Sequence, residues 1–93
     1  MICLLIVFVK QTKTMSEATY QSKLIKKLEA EGYYVLKLIK TNKNGIPDLV
    51  ALKPDDVKFI EVKGKLTKVS KLQEYRIEEL KKLGFDATIE REH

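Results

Sequence analysis

The stretch Pro47-Asp48-Leu49-Val50-Ala51-Leu52-Lys53-Pro54-Asp55-Asp56-Val57-Lys58-Phe59-Ile60-Glu61-Val62-Lys63 decides the fold. Two β-prone runs, Asp48 to Leu52 and Val57 to Lys63, flank Lys53-Pro54-Asp55-Asp56, whose proline and aspartates have turn chemistry, so the segment reads as a tight hairpin. Alternation along a strand puts Phe59, Glu61 and Lys63 on one face and Ile60 and Val62 on the other. Two charges therefore share one face of a strand expected at the centre of a sheet. Ionised groups held there cost on the order of several kcal/mol unless they are paired or bind a metal. Two arrangements meet that demand: a cation held by the carboxylates, or a cross-strand salt bridge of Lys63 with Glu61 or Asp48 on a partly solvated face.

Working outward, Thr14 and Ser16 are good N-cap residues. Ala18, Gln21, Leu24, Ile25 and Leu28 then recur at helical spacing until Gly32 stops the helix. Tyr33 to Ile39 reads as a strand that runs into the polar stretch Lys40 to Gly45. Beyond the hairpin, Gly64 to Val69 is a basic loop. Ser70 caps a second helix with apolar positions Leu72, Tyr75, Ile77, Leu80 and Leu83, and Phe85 to Ile89 alternates as a last strand after Gly84. The order is α-β-β-β-α-β, with no repeat or linker.

Composition sets the limits. Ninety-three residues leave room for one domain, assigned to 15–93, and 18 Lys plus Arg against 13 Asp plus Glu give it a net charge of +5. A chain this small buries only about two-thirds of its unfolded surface, which favours a partner subunit. The single Cys3 and single His93 exclude an internal disulfide and a Cys/His zinc site. Any metal must sit on oxygen ligands, which points to Mg²⁺ or Mn²⁺. A reducing cytoplasm suits such cysteine usage. The apolar run Ile2 to Val9 is too short to span a bilayer and lacks the positive leader of a secretory signal. Residues 1–14 are read as an extension, either an extra strand or a dispensable segment upstream of a start at Met15.

Asp48, then Glu61-Val62-Lys63 thirteen residues on, inside the α-β-β-β-α-β order, resembles the PD-(D/E)xK nuclease superfamily, with Pro47-Asp48 as its first dipeptide. Within it, Gly45-Ile46-Pro47-Asp48-Leu49-Val50, Phe59-Ile60-Glu61-Val62-Lys63 and Ser70-Lys71-Leu72-Gln73 are similar to the virus-type replication-repair nuclease (VRR-NUC) module, over Ser16 to Ile89. One departure is Val69-Ser70-Lys71, where many relatives have Thr-Pro. The resemblance implies a restriction-endonuclease-like α/β fold, with a mixed central sheet flanked by helices. It also implies catalytic roles for Asp48, Glu61 and Lys63, and for Glu17 and Gln73, which match the helix-borne glutamate and glutamine of the family pattern. Gln21 accompanies Glu17 one turn later. Capping boxes beginning at Thr14 and Ser70 offer the competing account of Glu17 and Gln73 as helix-start devices, and capping and catalysis are not strictly exclusive.

On this reading Asp48 and Glu61 hold one or two Mg²⁺, with Mn²⁺ as substitute, together with the backbone carbonyl of Val62 and a possible contribution from Glu17. Lys63 stabilises charge at the phosphate, and Gln73 fixes Lys63 or the attacking water. Lys37, Lys40 and Lys43 before the hairpin, with Lys65, Lys68 and Lys71 after it, are expected to contact phosphates, which brings affinity without reading sequence. Tyr33 and Tyr34 are assigned to base stacking or to core and dimer packing. No membrane segment and no nucleotide-binding loop is expected. Stand-alone members, especially small virus-type ones, look like dimeric structure-selective endonucleases of branched DNA such as four-way junctions, and the resemblance implies the same activity and a phage or prophage origin for this chain. A non-catalytic nucleic-acid-binding module, or a flap or duplex nuclease with the same site, is the alternative.

Overall fold

A computed structural model describes residues 16–92. It contains α1 (Glu17–Ala30), β1 (Tyr34–Lys37), β2 (Leu49–Lys53), β3 (Asp56–Lys63), α2 (Lys71–Lys82) and β4 (Asp86–Arg91). This is the expected α-β-β-β-α-β order of a restriction-endonuclease-like fold. The extension assigned to 1–14, and Thr14 as a cap, lie outside the described residues. Among those residues no helix is long and apolar enough to cross a membrane.

The hairpin closes through Pro54-Asp55, with Lys53 paired to Asp56. Proline holds φ negative and Asp55 turns at φ 62°, the sign pattern of a type II turn. The sheet order is β1-β2-β3-β4, antiparallel at the first two junctions and parallel between β3 and β4. β3 is thus an interior strand, as expected. β1 and β3 both run against β2, so their carboxyl ends and the start of β2 meet at one end of the sheet. The site is built at that end. At the opposite end the Tyr33 hydroxyl donates to Asp56 Oδ2 (2.5 Å), with the Lys53 ammonium 4.2 Å from the ring centre. Tyr33 is therefore a core residue and not a base-stacking platform.

Register divides the sheet into two faces. Leu49, Ala51, Ile60 and Val62 face α1, where Leu24, Leu28 and Tyr33 complete the core and Tyr20, Ile25 and Val35 border it. Each leucine so buried contributes roughly 2 kcal/mol of transfer free energy. Ala18, expected on this stripe, is exposed, and Tyr20 packs in its place one turn before Leu24. Ser16 caps α1 by accepting from the Thr19 N–H (3.1 Å), which makes Glu17 the first helical residue and not the far end of a capping box.

By register the other face carries Val50, Phe59, Glu61, Lys63 and Ala87, and α2 covers it chiefly over β4, reaching β3 through Gln73. Of the apolar positions expected in α2, Ile77 is buried, while Leu72, Tyr75 and Leu83 are largely exposed. A helix lying toward one side of the sheet buries one row of its side chains, not the whole stripe. Its amino-terminal turn is tied to the loop before β2. Arg76 Nε donates to the Asn44 carbonyl (2.9 Å), and Leu72 packs on Gly45, whose φ is 78°. A Cβ at Gly45 would stand 2.6 Å from Leu72 Cγ. Gly45→Ala is therefore expected to lower stability by about 2–3 kcal/mol, combining left-handed strain with overlap, as urea unfolding would show.

Candidate active site

Pairing between β2 and β3 ends at Leu49 and Ile60. Beyond it the Val62 N–H has no ladder partner on β2, and the Asp48 carboxylate takes its place, accepting through Oδ2 at 2.9 Å. In an extended strand a residue's N–H and C=O point to the same side, so the Val62 carbonyl also turns toward Asp48. The Lys63 carbonyl points the other way and accepts from the Glu92 N–H (3.3 Å). Asp48, Glu61 and the Val62 carbonyl are brought together by register alone.

Glu61 is 2 % exposed and Lys63 7 %. Lys63 Nζ lies 3.6 Å from Glu61 Oε2, and the same oxygen accepts from Gln73 Nε2 at 3.1 Å. The other oxygen, Oε1, is buried and meets no hydrogen-bond donor. Its neighbour Asp48 is a second carboxylate. Burial first, then the charge of Asp48 and a proton the two carboxylates can share, push the Glu61 carboxyl up to about 7, against the opposing pull of Lys63. A buried acceptor that lacks a donor, beside a like charge, suits a cation better than a simple salt bridge.

Gln73 serves two purposes. Its Oε1 accepts from the Ser70 N–H (2.9 Å) while Ser70 Oγ accepts from the Gln73 N–H (3.1 Å), which is the capping box read from the sequence. Because that bond occupies the acceptor end, the amide turns its Nε2 donor into the site. A lysine ammonium is itself only a donor. Gln73 accordingly bonds Glu61 rather than Lys63, and the two donors converge on one carboxylate oxygen.

Glu17, at the start of α1, sends Oε1 to the N–H of Gly64, one residue past Lys63 (2.9 Å). Gln21, one turn on, is half-buried. Among the described residues no three His, Cys, Asp or Glu side chains gather in one cluster. Glu17→Gln retains an acceptor for the buried Gly64 N–H and is expected to keep stability within about 0.5 kcal/mol. Glu17→Ala leaves that group unpaired and is expected to lose about 1–3 kcal/mol in urea unfolding.

The lysines named from the sequence flank this end of the sheet. Lys40 and Lys43 line a cavity of about 310 Å³ that reaches Asp48 and has Ile39, Thr41 and Gly45 in its wall. Lys65 and Lys68 stand exposed on the loop after β3, and Lys71 is exposed at the first position of α2. Sequence reasoning missed Arg91. Its Nη1 donates to the carbonyls of Gly64 (3.0 Å) and Thr67 (2.5 Å), holding the loop after β3 from the opposite side to Glu17. Arg91 is level with Lys63 in the parallel pairing of β3 and β4, a juxtaposition that local periodicity does not encode.

A family model described as the VRR-NUC domain matches residues 2–91 of the chain. A search of the curated proteins found no match.

Proposed function

The chain belongs to the VRR-NUC family, a nuclease-type module acting on DNA, and from that premise we propose that it is a divalent-metal-dependent endodeoxyribonuclease that cuts branched DNA as a homodimer. The observation that carries the reading is Glu61: a buried carboxylate with one oxygen unmatched, next to Asp48, with Lys63 and Gln73 closing on the other oxygen.

Asp48, Glu61 and the Val62 carbonyl form an all-oxygen donor set, which fits Mg²⁺, with Mn²⁺ as substitute. Glu17 is the remaining candidate ligand, through the carboxylate oxygen opposite the one that holds Gly64. When bound, the ion supplies positive charge at the phosphate and lowers the pKa of a water. The chain's own groups do the rest. Lys63 presents a compact ammonium that stabilises charge building on the phosphoryl oxygens. Gln73 keeps the Glu61 carboxylate in one orientation. Lys40, Lys43, Lys65, Lys68 and Lys71 bind phosphates on either side of the cut and offset the repulsion between DNA and the acidic pair.

Support for a homodimer comes from the sheet face that α2 leaves open. Tyr34 is 68 % and Leu36 41 % exposed there, beside the half-buried Leu52 and Val57. Two copies related by a two-fold axis would present two sites to a symmetric junction. The test is incubation of the full chain with a four-way junction, a flap and a linear duplex, with and without Mg²⁺, alongside light scattering after size exclusion. Mg²⁺-dependent cutting with preference for the junction is expected, from a species of twice the monomer mass. Absence of cutting in both Mg²⁺ and Mn²⁺ would leave the non-catalytic binding module, and cutting of flap or duplex over junction would leave the other nuclease reading.

A further inference from the structure

Leu66 and Ile39 are 89 % and 87 % exposed, the two most exposed large apolar side chains among the described residues. Both sit at the site end of the sheet. Ile39 follows β1 and lines the cavity that reaches Asp48, and Leu66 lies three residues past Lys63. Each has lysines on both sides in the chain, Lys37 and Lys40 around Ile39, Lys65 and Lys68 around Leu66.

The exposure of Leu66 is built in. The carbonyls of Gly64 and Thr67, which bracket it, both accept from Arg91 Nη1, and the Gly64 N–H is held by Glu17. Three hydrogen bonds from two other elements thus fix the loop with its leucine outward. Gly64 itself is buried, and a Cβ there would stand 3.2 Å from Thr67 Oγ1, so the turn is tight as well as tied. A loop free to rearrange would fold such a side chain against the protein.

A leucine between lysines suits few partners. An apolar protein surface would strip water from the lysines without matching them. A nucleic acid offers phosphates to the lysines and the flat apolar face of a base to the leucine. In continuous duplex that face is covered by its neighbour, and it is available only where stacking is interrupted. We propose that Leu66, held by Arg91 and seconded by Ile39, is an apolar wedge that packs on the unstacked base at a DNA branch point, and so determines specificity for branched over linear DNA. The proposal rests on the DNA-cleaving reading and specifies what that site selects.

The test uses the full chain and two readouts. One is the ratio of kcat/KM on a four-way junction to that on a linear duplex in Mg²⁺. The other is the fluorescence of 2-aminopurine placed at the branch of the same junction, titrated with protein in the absence of metal. Wild type is expected to raise the fluorescence, and Leu66→Ser to lose at least half of that rise and to lower the kinetic ratio about tenfold. Leu66→Met should restore both. Arg91→Lys, which cannot hold two carbonyls in one plane, should move the ratio in the same direction, and adding Leu66→Ser to it should give little further loss because the two act through one contact. A Leu66→Ser protein with wild-type ratio and wild-type fluorescence rise would overturn the wedge, as would full additivity with Arg91→Lys. If wild type cuts no DNA, the nuclease reading fails, and the metal-free fluorescence still decides whether Leu66 contacts an unstacked base.

Discussion

Glu61→Gln is expected to make the metal-free protein more stable at pH 8 while abolishing DNA cleavage. The two effects have one cause. In the folded chain the Glu61 carboxyl is raised from an ordinary 4.5 to about 7, chiefly by burial and then by Asp48. A carboxyl whose folded pKa exceeds its unfolded value binds more protons in the fold than in the open chain between those two values. Its contribution to stability is fully present below about 4.5 and is lost as pH rises through about 7. At pH 8 the metal-free protein must hold an ionised Glu61 in a site that disfavours it, at a cost on the order of 3 kcal/mol. Glutamine keeps the shape and an acceptor for Gln73 but carries no charge to desolvate. Urea unfolding without metal should show the variant more stable than wild type at pH 8, by about 1–3 kcal/mol, with the difference nearly gone at pH 4.5. The cation would relieve the same cost in wild type, so Mg²⁺ should raise the wild-type Tm more at pH 8 than at pH 5.5 and leave the variant almost unmoved. A variant less stable than wild type at pH 8 would mean that the ion pair with Lys63 outweighs burial and repulsion, and the metal-site argument would lose its energetic basis.

Lys63→Ala is expected to lower the single-turnover rate of cleavage about 10³-fold while leaving metal binding detectable. Lys63 Nζ is held at 3.6 Å from Glu61 Oε2 in a site where water is scarce. A preorganised charge in such surroundings acts on the transition state far more strongly than the same charge in water, and losing one such donor typically costs about 10²–10³ in rate. Metal binding, which depends on the oxygen donors, should persist as a Mn²⁺-induced rise in Tm. Lys63→Arg should recover little, because a planar guanidinium is larger than the ammonium and spreads its charge differently. Cleavage by Lys63→Ala within about threefold of wild type would remove Lys63 from the proposed mechanism.

Much of this arrangement is legible in the chain. Turn chemistry at Pro54-Asp55 sets where the hairpin reverses, and strict alternation along Phe59 to Lys63 then dictates that Glu61 and Lys63 share a face while Ile60 and Val62 share the other. Ser70 and Gln73 announce a helix start through groups three residues apart. Each of these is a short-range relation, decided by backbone geometry within a turn or a pleat, and so it survives in sequence. The burial of individual helix residues is less legible. Ala18 and Tyr75 fit helical stripes, yet both are exposed, because how much of a stripe is covered depends on where the helix lies over the sheet.

By itself, then, the sequence determined the element order, the face shared by Glu61 and Lys63, and the all-oxygen character of any metal site. Tertiary structure alone decided three contacts around them: the Asp48 carboxylate standing in for a ladder partner of Val62, the Gln73 amide turned onto Glu61, and the Gly64 peptide held between Glu17 and Arg91. These join residues 12 to 47 positions apart. No local periodicity connects such positions. Their encounter is set by sheet register and helix placement, which the burial of Leu49, Ile60, Val62 and Ile77 on the two faces of the sheet secures.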